Sequence, residues 1–233
     1  MLDELFTKYN SDKGDKAPPG VPPGQFHCYG AAYEKYFLPL RVNNLTLLEI
    51  GVSIHGDSAP SLMAWKEFFP NAYILGMDIY DYTMFESERV HIEVGNQGKI
   101  EDLERISLRH GPFDIIIDDG SHYAGHQLVS FMKLFNSLKP DGIYVVEDLH
   151  IPGAMPWSSN QEEAGQFTTT IAQLVNENII TAEYFNDKWG CFQIVFIKKV
   201  KENPSVINAT MDDDSNLIVA IKKRQETDGQ QAI

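Results

Sequence analysis

The chain has 233 residues, of which 43% are hydrophobic and 22% charged, and a formal net charge of −14. That is enough for one large domain with attachments and a substantial core. The acidity excludes a general binder of nucleic acids or anionic membranes, because both need Lys/Arg patches, but it is compatible with Mg²⁺ or a cationic ligand. Cys28 and Cys191 are the only cysteines, match no zinc or redox spacing, and read as reduced thiols of a cytoplasmic protein. The first residues are amphipathic and lack the apolar region of a signal peptide. No apolar run approaches the ~20 residues of a membrane span.

In chain order, residues 2–9 place Leu2, Leu5, Phe6 and Tyr9 on one face, which predicts a short helix. The stretch APPGVPPG, 17–24, predicts a loop, and YGAAYEKYFLPLR predicts a helix stopped at Pro39. Residues 1–41 thus read as a helical extension. Between 42 and 200 come seven apolar runs: LTLLEIGV, AYILGMDI, RVHIEVG, FDIIIDDG, GIYVVEDL, IITAEYF and CFQIVFIKKV. Helical patterns such as IEDLERISLRH fill most gaps. This alternation predicts an α/β fold with a doubly wound, mostly parallel seven-stranded sheet covered on both faces. Only NDKWG separates the final two runs, so the last strand should run antiparallel. Residues 201–233 read as a tail with one further strand. Trp65, Phe68 and Phe69 are assigned to the core.

In open α/β sheets, ligands bind beyond the carboxyl ends of the strands. There the runs end in Glu49-Ile50-Gly51, Asp78, Gly95-Asn96-Gln97, Asp118-Asp119 and Glu147-Asp148. Gly51 and Gly56 would let the backbone turn tightly against a ligand, and no phosphate-cradling lysine follows, so a P-loop is excluded. Asp78 ends the next run, where a carboxylate can accept hydrogen bonds from ribose hydroxyls. The pair suits an adenosine-containing cofactor without separating NAD from S-adenosylmethionine. Asn96, Gln97 and Asp118 are further candidates on the cofactor edge.

Asp118 and Asp119 should point to opposite faces of the sheet's end. Only one of them can easily face a given ligand, and with Glu147 and Asp148 on the neighbouring strand end the three carboxylates would repel one another without a cation. Mg²⁺ suits a few carboxylates with positions left open for substrate oxygens; the alternative is a structural acid cluster held by helix-start N–H groups. His122, three residues beyond Asp119, can be ligand, base or surface residue, and a base is favoured beside a metal-activated hydroxyl. His150 is a second candidate base, and His126 reads as packing on a first helical turn.

With these motifs assembled, the chain resembles the Mg²⁺-dependent sugar O-methyltransferases that act on macrolide antibiotics, of the mycinamicin and macrocin type. The resemblance runs through ELFTKYNSDKG, YGAAYEKYFLPLR, LLEIGV, SLMAWKEFFPNA and GMDI, and is strongest at FDIIIDDGSH and GIYVVEDLH. It implies a class I methyltransferase fold, S-adenosylmethionine as methyl donor and Mg²⁺ holding a sugar diol. It also implies Asp119, Glu147 and Asp148 as metal ligands, His122 as base, and Glu49, Gly51 and Asp78 along the cofactor. Ser11, Asp12 and Lys13 belong to the family's N-terminal motif, which closes over the site. Here SIHGDSAPSL replaces a shorter Gly-Gly-Ser-Leu turn, Gly-Asn-Gln stands where Gly-Asp-Gln is usual, and IPGAMPWSSN follows the last motif. The expected partner is a small sugar-like acceptor, with no nucleic acid and no membrane, and a homo-oligomer is left open. The rival readings are a catechol-type O-methyltransferase, a nicotinamide dehydrogenase and a non-catalytic nucleoside-binding or scaffold protein.

Overall fold

All seven apolar runs become strands of one sheet. They are β1 (Thr46–Ile50), β2 (Tyr73–Asp78), β3 (Val90–Val94), β4 (Phe113–Asp118), β5 (Leu138–His150), β6 (Ile180–Asn186) and β7 (Phe192–Lys199). This is a computed structural model that describes residues 1–20, 26–53, 58–150, 161–188, 192–201, 205–211 and 217–223. For residues 150, 161–164, 192, 205–211 and 217–223 only the backbone is described. The strand order is β3-β2-β1-β4-β5-β7-β6. Strands β1 to β5 pair in parallel, whereas β7 lies antiparallel between β5 and β6, as the short link before it requires. The order reverses at β1, so the crevice between β1 and β4 is the switch point where ligands bind in such sheets.

Both faces are covered. On one, α4 (Ile100–His110), α5 (Ala124–Leu134) and α6 (Gln161–Asn176) bury Leu103, Ile106, Leu128, Phe131, Phe167 and Ile171. On the other, α1 (Leu2–Tyr9), α2 (Gly30–Phe37) and α3 (Pro60–Phe68) bury Leu2, Phe6, Tyr33, Phe37, Leu62 and Trp65. The Phe6 and Tyr33 rings meet Trp65 edge-on, with centroids 5.1 and 4.9 Å away. Emptying such a site costs about 3–5 kcal/mol per large aromatic, so the N-terminal extension is a fixed layer of the core. Its turn is clamped as well, because the carbonyls of Asp12, Lys13 and Gly14 accept the N–H groups of His27, Tyr29 and Cys28.

Two expectations are corrected. The fifth strand does not stop at Glu147-Asp148 but runs to His150, because β7 offers an antiparallel partner; its register shifts between Val146 and Leu149, where Asp148 takes φ 52°. The tail holds two strands rather than one, β8 (Ser205–Met211) and β9 (Leu217–Lys223), paired as a separate antiparallel sheet. Cys191, read as a reduced thiol, and part of the 17–24 loop lie outside the described residues. Among the described residues, no helix is long and apolar enough to cross a membrane.

Candidate active site

The cofactor side of the edge is built around the turn after β1. Gly51 sits at φ 92°, donates its N–H to the Met77 carbonyl, and leads to Val52, whose N–H bonds Asp78 Oδ2 at 2.9 Å. Asp78 Oδ1 accepts the N–H of Tyr80, so two backbone N–H groups hold the carboxylate at the edge. Glu49 is fully buried and accepts Ser61 Oγ at 2.7 Å. Burial pushes its carboxyl up to about 7 against the opposing charge of Lys13. Gly56 lies outside the described residues.

The remaining cofactor candidates divide. Asn96 shapes the turn into α4, its N–H bonding Asp102 and its Oδ1 accepting Gly98 N–H. Gln97 and Asp118 are brought together beneath the surface. Gln97 Nε2 donates to Asp118 Oδ1 at 2.6 Å, and Gln97 Oε1 accepts Ser121 N–H at 2.9 Å. Asp118 is fully buried and also takes the Ser130 hydroxyl; burial lifts its carboxyl to about 6, against those two hydrogen bonds. The adjacent acids therefore do diverge, Asp118 inward and Asp119 toward the N-terminal layer.

There Asp119 meets Glu147, Asp148 and the buried Lys13. Lys13 Nζ lies 2.9 Å from Glu147 Oε1 and 3.7 Å from Glu49 Oε1, and bonds Asp119 Oδ2. Burial alone would lower this amine's pKa, but Asp119, Glu147 and Glu49 hold it well above the usual range. Burial and the Asp119 charge raise the Glu147 carboxyl. Tyr33 donates to Glu147 Oε1, and Tyr29 donates to Asp148 Oδ1 at 3.0 Å. Gln127 secures the Glu147 carbonyl, and His27 Nε2 approaches Asp148 Oδ2 to 3.4 Å while stacking on Tyr29.

Asp119, His122 and Asp148 each offer a ligand atom, all within 4.8 Å of one another. Beside them Glu147 Oε2 and His122 Nδ1 are buried without a hydrogen-bond partner among the described residues. An orphaned carboxylate oxygen beside two further acids fits a hard divalent cation, which takes oxygen ligands. His122 and Asp148 both occupy the left-handed region, at φ 59° and 52°, a strain that clusters at functional sites. His126 bonds Ser121 Oγ in the first turn of α5. Of His150 only the backbone position at the end of β5 is described.

No protein-family model matches the chain. The mycinamicin VI 2''-O-methyltransferase of Micromonospora griseorubida is 37% identical over 183 residues, covering 75% of this chain and 43% of that protein. The chain is a relative of the sugar O-methyltransferases. A tetracenomycin-C rhamnosyl 2'-O-methyltransferase of Streptomyces olivaceus is 43% identical over 126 residues, 53% of this chain and 33% of the relative. Among solved structures, the MycE methyltransferase in complex with Mg, SAH and mycinamycin VI superposes with TM-score 0.71 at 30% identity, covering 85% of this chain and 54% of that one. The class I methyltransferase fold is therefore shared with these sugar O-methyltransferases. The chain spans between a third and about half of the length of these three proteins.

No sequence motif marks a tyrosine as a site residue. Tyr29 and Tyr33 stand four residues apart on one face of a helix start, and that spacing was the available signal. His27 was missed because it lies beside a proline-glycine loop and carries no motif.

Proposed function

We propose that the protein methylates a hydroxyl of a sugar carried by a glycosylated small molecule, using S-adenosylmethionine and Mg²⁺. The observation that carries this reading is the meeting of Asp119, His122 and Asp148 beside the orphaned Glu147 oxygen, at the switch point of a sheet shared with sugar O-methyltransferases. When bound, Mg²⁺ would lower the pKa of a coordinated hydroxyl and S-adenosylmethionine would supply the methyl group.

The chain's own residues do the rest. Asp119, Glu147 and Asp148 would hold the ion, and Tyr29 and Tyr33 orient two of them. Gly51 brings backbone close to the cofactor, Asp78 accepts its ribose hydroxyls, and Glu49 lies along the same turn. Gln97 and Asp118 brace the loop that carries Asp119 and His122, while Asn96 shapes the turn beside them. His122 would take the proton of the acceptor hydroxyl, whose oxygen would receive the methyl group that S-adenosylmethionine supplies. The products are a methyl ether and S-adenosylhomocysteine.

The test is transfer of labelled methyl from S-adenosylmethionine to macrolides bearing free sugar hydroxyls, with and without EDTA. Label should enter the acceptor only with Mg²⁺ and should be lost in Asp119→Ala. Transfer that survives both EDTA and this substitution removes the metal role. A folded protein that binds no S-adenosylhomocysteine in calorimetry removes the methyltransferase reading.

A further inference from the structure

We infer that Lys13 is a built-in cation filling one of two adjoining cation positions in the acid cluster, so that the site takes a single exchangeable divalent ion. This rests on the metal reading above and adds a positioning residue to it. The cluster contains two groups whose ligand atoms lie within 4.8 Å of one another, Asp119/His122/Asp148 and Glu49/Asp119/Glu147, and Asp119 belongs to both. The second group already holds a positive charge, although Glu49 Oε1 makes no hydrogen bond among the described residues. Lys13 Nζ bonds Asp119, lies 2.9 Å from Glu147 Oε1 and 3.7 Å from Glu49 Oε1, and its side chain is only 2% exposed.

An ammonium carries three N–H donors, and here three carboxylates from β1, β4's end and β5 surround it. Those strands are neighbours in the sheet, so one side chain from outside the sheet ties three successive strand ends together. The lysine cannot drift away, because its carbonyl and both neighbouring carbonyls are clamped by residues 27–29. The two Glu147 oxygens are engaged unequally. Oε1 serves Lys13 and Tyr33, while Oε2 is left buried without a partner. One oxygen is thus committed to the fixed charge, and the other makes no hydrogen bond among the described residues.

Mn²⁺ binding to the full chain at mildly alkaline pH, followed by calorimetry and electron paramagnetic resonance, tests this. Wild type should bind about one equivalent with an uncoupled spectrum. Lys13→Ala should bind about two, with a spin-coupled signal from ions roughly 3.5–4 Å apart, and Lys13→Arg should return to about one. A merely structural lysine would leave the stoichiometry unchanged. If Lys13→Ala folds only with Mn²⁺, as far-UV circular dichroism would show, the stoichiometry of the Mn²⁺-folded variant decides by the same criteria. If it folds under neither condition, Lys13→Met, which keeps the methylene stem, is read by the same criteria. About one equivalent in both wild type and the folded neutral variant overturns the inference alone. A wild type that binds two also overturns it. A wild type that binds none overturns the metal reading itself.

Discussion

Gly51 lies directly against the carbonyl of Asp119: a β-carbon at position 51 would come within 2.0 Å of that oxygen. The two turns are also joined by a hydrogen bond from Asp119 N–H to the Ile50 carbonyl at 2.9 Å. The turn assigned to the cofactor and the turn assigned to the metal are therefore one mechanical unit. Gly51→Ala meets both this contact and the strain of a side chain at φ 92°, and should cost more than about 1 kcal/mol. We expect S-adenosylhomocysteine and Mg²⁺ affinities to fall together in calorimetry, with a lowered melting temperature. Loss of the nucleoside with unchanged Mg²⁺ binding would show that the turns move independently.

The left-handed backbone at His122 dictates how its role should be tested. Alanine there would add strain to the loss of the imidazole, whereas asparagine tolerates φ near +60°. His122→Asn should therefore keep the turn and remove the base. Turnover should fall roughly 10²–10⁴-fold, with S-adenosylhomocysteine affinity within a few-fold of wild type. Near-normal turnover in single-turnover measurements would move the proton to another acceptor, and His150 is the next to examine.

Tyr29 and Tyr33 hold adjacent carboxylates from one helical turn, Asp148 and Glu147 respectively. Groups that orient metal ligands typically account for about 10–100-fold in metal affinity. Tyr33→Phe and Tyr29→Phe should each weaken Mg²⁺ binding within that range. Tyr36→Phe removes a hydroxyl that bonds Glu183 at the surface and should leave Mg²⁺ binding unchanged. Equal effects from all three would mean that the tyrosines act through stability alone, which parallel melting curves would reveal.

What the sequence made legible follows from distance along the chain. The strand ends could be read because Asp78, Asp118, Asp119 and Glu147 each follow directly on an apolar run, and the class of sheet fixes the edge they share. The divergence of Asp118 and Asp119 followed from strand geometry. That Asp118 and Gln97 form a buried pair did not, because 21 residues separate them and nothing local marks an inward amide. The contact of Lys13 with Asp119 spans 106 residues, and its cause lies in the docking of α1 and α2 through Phe6 and Tyr33 against Trp65. Asp148 was placed at a strand end because an acid pair ordinarily stops a strand. Only the antiparallel pairing with β7 shows that the strand bulges there and continues.

Away from the site, Glu93 on β3 gathers Arg105, Arg109 and His110 from the last two turns of α4, at 2.8, 2.7 and 2.9 Å. Burial would raise its carboxyl, but the hydrogen bonds from His110, Arg109 and Arg105 hold it at about 2. An acid with a depressed native pKa binds fewer protons folded than unfolded between the two values. Its contribution is therefore fully present above the unfolded pKa, about 4.5, and is lost as pH falls toward 2. Because Arg109 is largely exposed and solvent screens the pair, that contribution is on the order of 1 kcal/mol. Glu93→Gln should lower the melting temperature at pH 7 while leaving it close to wild type near pH 2, so the two curves converge on acidification. Since α4 starts from the turn that carries Asn96 and Gln97, the same variant should also loosen that turn. Hydrogen exchange at the Gly98 and Ser121 amides would report it, and unchanged exchange there would confine the effect of Glu93 to the far end of the helix.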